Sequence, residues 1–269
     1  MTSFGKLLAK VLLGVSMAGV VGCVPGARGQ SQKSSAMAAK PDTPDPADQG
    51  WHVDVAPYIW FAGVNGTVGT AGRQSSIHVS ASDVLSNVNF GIMGAVDARY
   101  NRIVIPVDFM WVKLTDERGL PIGQGTTSLH VKLNEDIFTP KVGYRLVSKE
   151  RFKVDALVGI RFWHVGNTLT LQPQPANGRY GATNWVDGVE GARFLWMLTR
   201  KVVLAIGGDA GGGGARLDYQ VAGLLGYKVK KVTFMGGWRY LVIHRNPTDR
   251  TFVDLAQTGV VIGAVIPLK

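Results

Sequence analysis

The chain has 269 residues, 35 of them glycine, with 46% apolar side chains and a formal net charge of +10. That length and apolar content suit one large β domain. A single cysteine, Cys23, excludes disulfides within the chain and argues against a cysteine-based metal site. Beyond the N-terminal segment no run of 18 residues is apolar and free of charge, so no transmembrane helix is expected.

Residues 1–29 read as an export signal. Lys6 and Lys10 supply the positive start and VLLGVSMAGVV (11–21) the apolar region. Two cleavage sites stand open. Ala27-Arg28-Gly29 is an ordinary small-x-small site. Val20-Val21-Gly22-Cys23 resembles a lipobox ending at Gly22, which would make Cys23 a lipidated first residue. Residues 30–50 are polar and rich in Pro, Ala and Ser, the composition of a disordered linker. Removing Lys6, Lys10 and Arg28 leaves a mature balance of about +7. No helix-borne basic stripe or nucleic-acid motif accompanies that charge. Anionic lipopolysaccharide or the lining of a lumen suits that charge better than nucleic acid.

Residues 51–269 alternate with period two, the signature of strands. In WHVDVAPYIWFAG (51–63) Val53, Val55, Ile59 and Phe61 face one way, and His52, Asp54, Tyr58 and Trp60 the other. NFGIMGAVDARY (89–100), IVIPVDFMWVK (103–113) and FKVDALVGIRFW (152–163) repeat the pattern. One face is almost wholly apolar; the other mixes charge, glycine and aromatics. A soluble barrel or sandwich has the reverse preference. An apolar exterior around a polar interior predicts a transmembrane antiparallel up-and-down β-barrel in the bacterial outer membrane, with outer-membrane lipid, lipopolysaccharide and the barrel-assembly machinery as its expected partners. Trp51, Tyr100, Trp185 and Tyr240, near strand ends, are expected in its aromatic girdles.

Short links at Asn101, 148–150, 199–200 and Lys230 alternate with longer ones at 115–125, 172–183, 210–215 and 244–250. That is the asymmetry between short periplasmic turns and longer outer loops. Parity of strand direction gives about ten strands, with eight to twelve as the range. Residues 64–88 form an outer excursion, with a hairpin near Ile77-His78-Val79 and a turn at SASDVLSN. Six of the eight residues 207–214 are glycine, but Gly214 is followed by Ala215 and Arg216, so neither a P-loop nor a dinucleotide fingerprint fits. The strand-like alternation after them makes the stretch a hairpin and outer loop. A switch of polar parity within 128–147 predicts a bulge near 135–139. Glu190, which breaks its strand's apolar parity, predicts a local register change.

A short unit recurs: GYRL (143–146), GIRF (159–162), GARF (191–194), GYKV (226–229) and GWRY (237–240). Glycine and the basic residue share a parity, so both are expected in the lumen, glycine leaving room for the long side chain. The lumen candidates are Asp97, Arg99, Asp108, Arg145, Asp155, Arg161, Asp187, Arg193, Asp209, Asp218 and Arg239, with Asp254 as a further counter-charge. Two readings follow: ion pairs that fill a small barrel, or a basic constriction that selects anions.

The arrangement resembles a bacterial family of outer-membrane β-barrel proteins, mostly of undetermined activity. The resemblance covers about residues 51–268. It rests on VAPYIWFAGVNGTVG (55–69), NFGIMGAVDARY (89–100) and NWVDGVEGARF…LAIGGDAGGGG…LLGY…GGWRYL (184–241). Asp187, Gly191 and Arg193, and Gly208, Asp209, Gly211 and Gly212, match the family's pattern. The resemblance implies fold and compartment but no reaction. The chain ends VIPLK, whereas many outer-membrane barrels end in an aromatic residue.

Catalytic signals are thin. His52, His78, His130, His164 and His244 form no metal spacing, no G-x-S-x-G occurs, and Ser128 with His130 and nearby Glu135 is a weak set. No catalytic residue, metal or cofactor is assigned. The expected role is a passive small-solute channel or a structural envelope protein. The alternatives are a lipid- or lipopolysaccharide-modifying barrel enzyme and a soluble periplasmic barrel holding an apolar ligand.

Overall fold

The computed structural model describes residues 50–70, 73–82, 88–122, 125–172, 179–245 and 251–268. The export signal, its lipobox alternative at Cys23 and all but the last residue of the linker lie outside them.

Eleven strands follow one another: β1 (Trp51–Thr70), β2 (Arg73–Val79), β3 (Val88–Tyr100), β4 (Ile103–Ile122), β5 (Gly125–Ser148), β6 (Phe152–Gln172), β7 (Arg179–Met197), β8 (Val202–Gly213), β9 (Leu217–Val229), β10 (Val232–Arg245) and β11 (Thr251–Pro267). Each of β3 to β10 pairs antiparallel with the next, and β11 returns to pair with β1 from Asp54↔Pro267 to Thr70↔Thr251. The wall is a closed ten-stranded up-and-down barrel. β2 is an addition that pairs with the upper half of β1 alone, from Val64↔Val79 to Thr70↔Arg73. It realises the hairpin expected in the 64–88 excursion; residues 83–87 of SASDVLSN are outside the described set. On the same edge of β1, β3 pairs only with Trp51–Pro57. Pro57 turns the edge where an N–H is missing towards β11, and there the register skips Ala56 and Pro57. Just above, the Trp60 N–H reaches Met93 Sδ at 3.3 Å.

The four short turns fall at one end, where Asn101 and Lys230 take left-handed backbone (φ 52° and 55°). Turn-length asymmetry makes this the periplasmic end. The opposite end differs from expectation. Residues expected as loops mostly continue the ladder: β4 runs to Ile122 and β5 starts at Gly125. The strands themselves project outward.

The outside is apolar. Ile59, Val142, Val158, Leu225, Phe234 and Ile262 are each at least half exposed. On β6 the outward positions from Phe152 to Phe162 carry no charge. Ten residues at about 3.3 Å, on a strand tilted by about 40°, cover about 25 Å, the height of a hydrocarbon band. Trp51 and Tyr100 lie against each other at its lower edge, ring centroids 5.2 Å apart. Tyr240 also stays on the outer face, beside Tyr219. Trp185 does not join a girdle; it is buried in the lumen.

Two register expectations fail. The β4–β5 ladder runs through 135–139 without a shift; the bulge lies lower, between Arg145 and Val147. The polar residues Asn134 and Asp136 sit on the outer face, above the apolar band. What changes along β5 is the surroundings, not the parity. Glu190 likewise sits in unbroken ladders, opposite Val158 on β6 and Ala210 on β8. It is a carboxylate on the outer wall, midway between Val186 and Phe194.

Candidate functional site in the barrel lumen

The inward positions of β3 to β10 bring charges together in layers. In the lowest layer Asp155 receives two arginines. Arg145 Nε donates to Oδ1 at 2.8 Å, and Arg193 Nη2 to Oδ2 at 2.8 Å. Arg193 also pairs with Asp97. Arg99 lines the same level. Beneath the next layer the lumen keeps a cavity of about 410 Å³, lined by Asp54, Asp97, Arg99, Leu224, Met235 and Val261 among others.

The middle layer centres on Arg161. Its Nη2 donates to Asp209 at 2.6 Å, its Nη1 pairs with Asp218, and its Nε donates to Thr139 Oγ1 at 3.2 Å. Lys141 also pairs with Asp209. Gln220 extends the chain, donating to Asp209 at 2.7 Å and accepting from Arg239 Nη2 at 2.8 Å. Arg239 Nη1 reaches Asp108 at 3.3 Å, and the Tyr58 hydroxyl donates to Asp108 at 2.7 Å. One connected network thus draws on seven of the ten wall strands. Arg145, Asp155, Arg161, Asp187 and Asp218 have 0% exposure. Buried charges need opposite charges or hydrogen bonds: Arg145 pairs with Asp155 and Arg161 with Asp218, and Asp187 accepts two N–H groups.

Above the charges lies an apolar layer absent from expectation: Trp60, Met110, Ile137, Trp163, Trp185, Leu241 and Ile243, all buried. The glycine-rich hairpin closes over it. The expected 210–215 loop is mostly strand, and only 214–216 turn. That turn is pinned. Ala215 packs into the apolar layer and donates its N–H to Asp187 Oδ1 at 2.7 Å. Arg216 N donates to the His244 carbonyl at 2.8 Å. Arg245 lies over the Trp185 ring at 4.8 Å, donates to the Gly214 carbonyl at 3.3 Å and bonds Thr183.

All eleven lumen candidates are inward; Asp187 is held by two N–H donors, Trp185 Nε1 (2.8 Å) and the Ala215 backbone. Asp254 is corrected. It sits outside, bonded to His244 Nδ1 at 2.8 Å, with both side chains more than 40% exposed. On the upper part of β11 the apolar residues Val253 and Leu255 are the inward ones, because the lumen is apolar there. Tyr58, Thr139, Lys141, Gln220, Trp60 and Trp163 were missed as site members, although they share the parity of the charges. The glycines of the repeated unit have a further reason. A Cβ at Gly143, Gly159, Gly191 or Gly237 would overlap a carbonyl oxygen of the neighbouring strand. The side chains of Ser128 and His130 lie outside the described residues, and Glu135 is occupied by Gln257 across the lumen at 2.7 Å. Among the described residues no group of three or more metal-ligating side chains gathers.

A closed ladder, an apolar band outside and charge pairs inside decide the class. The chain is an outer-membrane β-barrel. No family model matches it, and no curated protein matches it. Among solved structures it is similar to the translocator domain of the autotransporter NalP from Neisseria meningitidis (10% identity, 98% of this chain and 94% of that chain, TM-score 0.44). It is also similar to the attachment invasion locus protein Ail of Yersinia pestis (12%, 82% and 99%, 0.34) and the toluene transporter TbuX of Ralstonia pickettii (9%, 81% and 89%, 0.32).

Proposed function

We propose that this barrel is a sealed structural component of the outer membrane, delivered by the barrel-assembly machinery and not open to solute flow. The observation that carries the reading is the Arg161 layer. Its arginine and Asp218 are fully buried, and the Trp163–Trp185 stack and the Ala215 turn lie over them. A conducting pore needs a continuous water path past its charges. The 410 Å³ cavity stops against this layer instead.

The test is conductance of the refolded mature barrel in a planar bilayer, after heat-modifiable gel migration has shown it folded. Silence is expected. Steady channels with anion preference, altered by reversing charge at Arg161 or Arg193, would replace the plug with a selecting constriction. The lipid-modifying enzyme has no assembled set of side chains in its support among the described residues, and the apolar exterior opposes the soluble carrier.

A further inference from the structure

Just above the apolar band, four neighbouring strands place a polar row on the outer wall. The ladder sets Trp111 opposite Asp136, Asp136 opposite His164, and His164 opposite Asn184. One step below run Phe109, Phe138, Phe162 and Val186, each at least 37% exposed. Between the two rows lies a shallow groove of about 400 Å³. The row is pre-arranged. Trp111 Nε1 donates to Asn134 Oδ1 at 3.1 Å, Asn134 Nδ2 to Asp136 at 3.2 Å, and His164 Nδ1 is bonded to Asn184 Oδ1. Lys113 lies over the Trp111 ring at 4.7 Å.

We propose that this groove binds a glycolipid of the outer leaflet. The location names the occupant class: the groove straddles the boundary of a band that lipid covers, at the end opposite the short turns. Acyl chains would lie on Phe138 and Phe162, whose rings are 6.1 Å apart and nearly parallel. The headgroup chemistry then selects. The carboxylate accepts hydrogen bonds, and the two amides and the imidazole both donate and accept them, which matches sugar hydroxyls. With one lysine the row is not a phosphate clamp, and Lys113 suits a single anionic substituent on the sugar. The proposal rests on the membrane placement and not on a sealed lumen, so a conducting barrel would leave it standing.

The mature protein in non-ionic detergent is titrated with rough lipopolysaccharide and, separately, with phosphatidylglycerol, and bound lipid is counted by native mass spectrometry. The wild type should hold the glycolipid at least about tenfold more tightly than the phospholipid. Asp136→Leu with Asn184→Leu should erase that preference, the effect expected for two lost hydrogen bonds. Heat-modifiable migration checks folding, and His164→Phe serves if the double variant does not fold. No preference in the wild type, or a preference that survives in the folded variant, overturns the proposal.

Discussion

Trp163 lies flat against Trp185, ring centroids 5.3 Å apart and 10° from parallel, and each indole donates to a carboxylate: Trp163 to Asp218 at 2.9 Å, Trp185 to Asp187 at 2.8 Å. The stack joins the apolar layer to the charged one, so neither can shift without the other. A buried indole needs an acceptor, and a buried carboxylate needs donors. The pairing satisfies both.

Replacing Arg161 with methionine should therefore be severe. It takes one cation from Asp209, which keeps Lys141, and leaves Asp218 with the Trp163 indole in a closed interior; removing one partner of a buried pair costs about 3–5 kcal/mol. Urea unfolding in lipid vesicles would read it as a large fall in midpoint. Adding Asp218→Asn should recover part of the loss; equal midpoints for wild type and Arg161→Met would break the network account.

Glu190→Leu should act the other way. The carboxylate stands on the outer wall between Val158 and Ala210 in regular register. A lipid-facing carboxylate costs less than the about 2–4 kcal/mol of a midplane lysine or arginine, so a gain of about 1 kcal/mol is expected. The same vesicle unfolding experiment measures it, and a destabilised variant would show that Glu190 has a partner.

Two adjacent glycines should separate cleanly. A Cβ at Gly237 would overlap the Gly223 carbonyl, whereas one at Gly236 meets nothing within 4 Å. Gly237→Ala should cost about 1–3 kcal/mol as overpacking. Gly236→Ala should stay within about 0.5 kcal/mol of the wild type. Equal behaviour would show that the strands slide apart to make room.

Arg245→Ala should release the hairpin turn at 214–216. The arginine contacts the Gly214 carbonyl, Thr183 and the Trp185 ring. Amide hydrogen exchange at Ala215 and Arg216 should then speed up while the β5–β6 ladder stays protected. Unchanged exchange at the turn would mean that Ala215's own bond to Asp187 suffices.

The strand count and the inward charges were legible because glycine and arginine two residues apart declare a parity, and Asn101 declares a turn. The apolar upper lumen was not. Trp185 suits a lipid girdle as well as a buried stack, and nothing local distinguishes the two. The same blindness misplaces Asp254, since Val253 and Leu255 beside it suit a lipid-facing wall as well as an apolar lumen. Along β5, Asp136 has the same parity as Phe138, and only the height of the band separates them. Height depends on strand tilt and on neighbours far away in the chain, which a periodic pattern does not record.

The short seam between β1 and β3 gives the barrel a mechanical grain. On one side β1 pairs with β11 from Asp54 to Thr70, skipping only Ala56 and Pro57; on the other β3 grips only Trp51–Pro57. A force pulling the wall apart would open it there first, starting above Pro57 and tearing downward to the turn at Asn101. The cylinder has a tear line, and it runs beside its first strand.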